Sequence, residues 1–291
     1  MLFAAILSAI FAGLVAIVAT VAIERLGGKV GGVLASIPTT IVPASLGFWW
    51  QSETATANFR AEMVAVPLGM LVNVLFLWSW RIFPSRLRGG AILAKQLMIS
   101  LGVWLLAASC IWAVLRQSSS GNQHSPLRQL IGQSKNHSIV DYPLLLSISA
   151  LLLSALLGFL NCRKGLPAPK GTQPVSAYAL LFRGLLAAAA IGFAVVLSTM
   201  GTAYLAGLAS VFPAIFLTTM VSLWIAQGQA VQVGSVGPMM LGSCSVSGYA
   251  LLTIGIFPMF GPILGSIIAW VLSVLLCSLP AGLWLMSQRA S

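Results

Sequence analysis

The sequence predicts an all-α, polytopic membrane protein of about nine transmembrane helices, arranged as a 4+1+4 inverted internal repeat. Three observations predict it. Of 291 residues, 59% are hydrophobic and only 7% are charged, with a mean hydropathy of +1.00, which leaves too little polar surface to cover a soluble globule. Apolar runs of about 20 residues, long enough to cross a hydrocarbon core, recur along the chain. Two of these runs carry nearly the same phrase, Gly32-Val33-Leu34-Ala35-Ser36-Ile37-Pro38 and Ala206-Gly207-Leu208-Ala209-Ser210-Val211-Phe212-Pro213. An offset of 174 residues also pairs Gly27 with Gly201, Ile41 with Ile215, Trp50 with Trp224 and Pro84 with Pro258, with Phe212 the one residue out of register. Recurrence at a fixed offset is the mark of a duplicated unit.

The spans follow in order. The first, 2–23, has no basic leader and is long enough to cross, so it is expected to stay in the mature chain rather than be cleaved. The second, 30–50, contains Pro38 and Pro43; the third, 63–83, contains Pro67 and Asn73; the fourth is 97–115. A polar stretch from Gln117 to Tyr142 reads as a loop, and span five covers 143–161. The segment from Lys164 to Pro174, with Pro167 and Pro169, reads as a linker. Spans six to nine are 178–198, 203–225, 237–256, which glycine and serine dilute, and 262–286. The chain therefore divides into a first four-helix unit, 1–116, a middle section of outer loop, connecting helix and cytoplasmic linker, 117–175, and a second four-helix unit, 176–291. With an odd helix between the copies, the second unit is inverted relative to the first.

Charge gives an orientation. The net charge of +11 comes from basic residues in short connections rather than on one helix face, which points to topology and not to nucleic acid. Alternate connections put Arg25, Lys29, Arg81, Arg86, Arg88, Lys95, Arg163, Lys164, Lys170, Arg183 and Arg289 on one side, and only Arg60, Arg116, Arg128 and Lys135 on the other. By the positive-inside rule the amino terminus is outside and the carboxyl terminus cytoplasmic. Trp49, Trp50, Trp78, Trp80, Trp224 and Trp284 fall near span ends, where indole rings favour the interface.

Candidate functional residues cluster in the two echoing spans. A proline removes a backbone donor and orphans a carbonyl one turn earlier, which hydrocarbon does not tolerate. Pro38 with Ser36, Thr39 and Thr40, and Pro213 with Ser210, Thr218 and Thr219, are therefore expected to face protein or a wet cavity and to bind solute at the midplane. The plainer reading is a kink whose threonines bond back to their own helix. Asn73 is an amide deep in a span and needs partners, either as interhelical glue or as a solute contact. The offset sets it opposite Ser247, in a hydroxyl-rich run that also holds Ser245. Glu62 is the one acidic candidate for a gate, with a solvated interfacial position as the plainer expectation. Asn136 heads a sequon in the outer loop.

Other chemistry is disfavoured. His124 and His137 both fall in the outer loop, so no intramembrane triad, and no metal or cofactor site, can be assembled from the spans. Cys110, Cys162, Cys244 and Cys277 show no paired spacing and read as small buried hydrophobes. The expectation is a non-enzymatic transporter or permease in the lipid bilayer, similar in architecture to inverted-repeat secondary carriers in general, for a small polar neutral or anionic solute. The rivals are a structural or assembly membrane protein, and a channel or lipid-moving protein.

Overall fold

The computed structural model describes residues 2–26, 37–51, 56–84, 87, 91–119, 142–163 and 177–287. All regular structure among them is helical. The helices are α1 (Leu2–Leu26), α2 (Ile41–Gln51), α3 (Thr56–Ile82), α4 (Ile92–Ser119), α5 (Tyr142–Cys162) and α6 (Ala177–Thr199). They continue with α7 (Ala203–Ser210), α8 (Ala214–Gln227), α9 (Gln229–Gly242), α10 (Cys244–Phe260) and α11 (Pro262–Ser273). A π-helical turn, Val274–Ser278, then joins α11 to α12 (Leu279–Ser287). Among the described residues, 7 helical runs are long and apolar enough to cross a membrane, and α1 contributes a shorter apolar stretch, Phe3–Val18. Expected spans seven and eight each consist of two helices, α7 with α8 and α9 with α10.

The central element is α3. Every residue from 62 to 70 is buried, and α4, α5, α7, α9 and α10 pack around it. It starts at Thr56, seven residues before the expected boundary, because Phe59 anchors its first turn: the ring stacks on Phe257 at 5.0 Å and meets Trp49 edge-on at 5.1 Å. Outer helices differ in character. On α4, Met98, Leu105, Leu106 and Val114 are exposed, an apolar face of the kind that lipid covers. Cys110 shares this exposure, which corrects its reading as a buried residue; all four cysteines are free thiols.

Two contacts fix the relation of α1 to α6. A Cβ on Gly13 would lie 3.0 Å from the Gly184 carbonyl oxygen, and one on Gly192 would lie 3.1 Å from Ala9 Cβ. Residue numbers fall along one helix as they rise along the other, so the pair is antiparallel and held by small-residue packing. At one end of the bundle the start of α3 meets the ends of α6 and α10, through Glu62 with Ser198 and Phe59 with Phe257. At the other, Arg81 Nη1 donates to the Asn161 carbonyl at 2.9 Å, tying the end of α3 to the end of α5.

Trp80 departs from expectation. It is fully buried, with Phe76 and Trp224 rings 6.3 and 6.2 Å away, and belongs to a core cluster with Trp104, Met220 and Met240 rather than to an interface belt.

Candidate functional site

Both echoed prolines stand just before a helix, α2 or α8, with the same local geometry. Around Pro38 the chain is non-helical from Ile37 to Thr40, and the Thr39 amide donates to the Ile37 carbonyl at 2.8 Å. Around Pro213 the Ala214 amide donates to the Phe212 carbonyl at 2.7 Å. Each proline is thus the middle residue of a tight three-residue turn, the geometry its fixed φ favours. Both are buried, while Thr39, Thr40 and Thr219 are half-buried. Ile41, just after the first break, and Val211, just before the second, lie in one hydrophobic cluster with Met70 and Tyr249. Ser36 and Asn136 lie outside the described residues.

The second break is closed from α3. When α7 ends at Ser210, the Val211 carbonyl has no helical donor; Asn73 Nδ2 supplies one at 2.8 Å. The other end of that amide is also engaged, since Trp104 Nε1 donates to Asn73 Oδ1 at 2.8 Å. The Trp104 ring meets Phe212 edge-on at 5.2 Å. Asn73 is therefore a clasp whose polar atoms are taken by protein, as the glue reading expected.

The seat of α7 on α3 is a helical stripe, Glu62, Ala65, Gly69 and Asn73. Two glycines make the approach possible. A Cβ on Gly207 would collide with the Glu62 carbonyl, and one on Gly69 would overlap the Val211 side chain. Glu62 is consequently fully buried, which overturns its expected solvated position. Its Oε1 accepts a hydrogen bond from Ser198 Oγ, whereas Oε2 has no partner among the described residues. Ser198 sits at the end of α6, where Gly201 adopts φ 73° in the turn leading into α7.

The remaining candidates divide. Ser210, Thr218 and Ser245 bond back to carbonyls of their own segments, Gly207 at 2.7 Å, Ala214 at 2.9 Å and Gly242 at 2.9 Å. The buried Ser247 hydroxyl has no partner among the described residues. Thr218 also accepts from the Nε of Arg183 at 3.0 Å, and Arg183 is itself buried at 5% exposure, not a solvated end-of-span residue. It stands in the seventh position of an apolar helix, a signal legible in the sequence. The structure adds three further buried polar groups, of which sequence reasoning passed over Gln96 and Gln232 and placed Trp80 at an interface. Gln96 Oε1, Gln232 Oε1 and Trp80 Nε1 are all fully buried without hydrogen-bond partners among the described residues. The Gln232 amide meets Met220 of the cluster that contains Trp80, and the Gln96 amide meets Ser79.

The described clefts lie elsewhere. One, of about 310 Å³, is lined by Leu7, Ile10, Phe11, Pro43, Leu46 and Trp50 between α1 and α2; another, of about 300 Å³, is lined by Phe59, Arg60, Ile254 and Pro258. Neither is lined by the prolines or threonines of the two breaks. Among the described residues no group of three or more His, Cys, Asp or Glu stands close enough to hold a metal ion.

The class these observations define is a multi-pass, all-helical integral membrane protein. Comparison with family models, curated proteins and solved structures finds no match.

Proposed function

We propose that the chain is a small-solute membrane transporter working by alternating access between two inverted four-helix repeats, with its site at the proline-broken helices of the two copies. The observation that carries this reading is the matched break: the same tight turn, buried at Pro38 and again at Pro213. An isolated kink has no reason to recur with the same hydrogen bond. Discontinuous helices in corresponding positions of two halves are where carriers bind solute and hinge.

Helix register supports the duplication. The 174-residue offset carries 2–26 onto 176–200, against α6 at Ala177–Thr199, and 41–51 onto 215–225, within α8. It carries 56–82 onto 230–256, across α9 and α10. The antiparallel crossing of α1 on α6 is the arrangement that two inverted equivalents make across a shared axis. Alternate crossings agree with the start of α3 lying beside the ends of α6 and α10, and the charge bias of the connections supports the proposed orientation, with amino terminus outside and carboxyl terminus cytoplasmic. The half-buried Thr39, Thr40 and Thr219 are the proposed solute contacts, and not Asn73, whose amide is engaged by protein. The substrate is a small polar neutral or anionic solute, since a carboxylate cage for a hard cation is missing from the described residues.

Burial of both prolines and of the neighbouring Ile41 and Val211 favours a second reading, a structural or assembly membrane protein without a transport cavity. Purified full-length chain in liposomes separates the two. Saturable uptake from a panel of neutral and anionic metabolites, reduced at least tenfold by Thr40→Val with Thr219→Val, supports transport. Non-saturating conductance or lipid flux would indicate a channel or lipid-moving protein. Absence of any flux, with function in cells lost on deleting residues 119–138, would support the assembly role.

A further inference from the structure

The carboxyl of Glu62 is the only acidic side chain among the described ones, and it is fully buried in the second turn of α3. Three observations set its chemistry. One carboxyl oxygen is held by Ser198 on the neighbouring helix; the other has no partner among the described residues; and α7 packs directly on the Glu62 backbone at Gly207. The charged and titratable groups on the surrounding helices stand apart. Arg60 is exposed and two positions away on α3, on the opposite side of the helix. Arg116 on α4 is exposed and lies over the Trp112 ring at 5.4 Å. On α6 the buried Arg183 precedes Ser198 by fifteen residues, about 22 Å of helix. Tyr142 on α5 and Tyr204 on α7 are half-buried, and Tyr249 on α10 shares a 2.8 Å hydrogen bond with Ser45. α2 and α9 bring no described charged side chain. An ionised carboxylate enclosed in this way, with no cation beside it among the described side chains, costs several kcal/mol that the neutral acid avoids.

Glu62 is also mechanically placed. α3 holds the chain on either side of α7, at the end of α6 through Glu62 and Ser198 and just past α7 through Asn73 and Val211, and α7 itself rests on the Glu62 backbone at Gly207. Movement of α7 away from α3 would open the Gly207 contact with the residue that carries the buried acid.

We propose that Glu62 is a proton-binding site coupled to the seating of the broken helix: the acid keeps its proton while α7 packs on α3, and when the Ser198 contact opens the O–H bond breaks and the proton passes to water at that end of the bundle. This rests on the transport reading above and names its coupling ion as the proton.

The test is infrared titration of the purified full-length chain in detergent, which requires no solute. The expected result is a protonated-carboxyl C=O band at neutral pH that is lost on alkalisation and is absent from Glu62→Gln. Ser198→Ala keeps the acid and removes its one donor, so it moves the midpoint of that loss by at least half a pH unit even if Glu62→Gln fails to fold. A band that survives Glu62→Gln, or a midpoint unmoved by Ser198→Ala, overturns the proposal. In liposomes, a pH gradient should accelerate uptake several-fold in the natural chain and not in Glu62→Gln. Titration without any uptake would sink transport but keep the proton site; gradient-independent uptake would do the reverse.

Discussion

α3 holds the chain before and after α7 in different ways, at Ser198 on the end of α6 and at Val211 just past α7. At the exit, Asn73 gives its amide hydrogen to Val211 and takes one from Trp104, so donor and acceptor are both used in a dry core. At the entry, Glu62 uses one oxygen, and the other has no partner among the described residues. A completed polar network in low dielectric fixes one geometry, because every alternative strands a buried group. A half-completed one is poised between two, because adding a proton or water changes its balance. The exit is thus built as a fixed clasp and the entry as a catch.

Substitutions that break the comparison differ in size. The largest effect is expected at the clasp: Asn73→Leu strands the Val211 carbonyl and the Trp104 indole, costing about 2–5 kcal/mol, read as a lower melting temperature in detergent and poor insertion. A variant that melts with the natural chain but loses uptake would instead make Asn73 a solute ligand. Next is Gly207→Val, whose side chain would meet the Glu62 backbone; overpacking of this kind costs about 1–3 kcal/mol and should increase labelling of a cysteine placed at Ala65. Unchanged labelling would mean that α7 does not sit on that stripe. Trp104→Phe keeps the ring against Phe212 but removes one donor, for about 1 kcal/mol. The smallest effect is at the catch, where Ser198→Ala should change stability by less than about 1 kcal/mol while altering pH response. A large loss there would make the two ends alike and end the distinction.

Much of this was legible in the residues. Hydropathy gave the helices, and proline chemistry gave the break at Pro213 and the turn at Pro38, because a missing N–H acts locally. The need of Asn73 for partners was also readable, though Val211 as that partner was not, since the contact joins residues distant in sequence. Glu62 was misplaced for a related reason. Its burial depends on Gly207 and Ser198 arriving from the other half of the chain, and on Phe59 extending α3 toward its start. Trp80 and Cys110 fell on unexpected sides of the bundle because position within a span says how deep a residue lies, and not which way it faces.

The central claim is that the two breaks meet at a site reached from alternate faces. Its most direct test labels single cysteines, Thr40→Cys and Thr219→Cys, in a chain lacking Cys110, Cys162, Cys244 and Cys277, with a membrane-impermeant maleimide added to either face of sealed vesicles. The account predicts that both react, each chiefly from one face at a time, and that a pH gradient or bound solute shifts both together. Folded protein in which neither position reacts from either face, under any pH gradient, would contradict it.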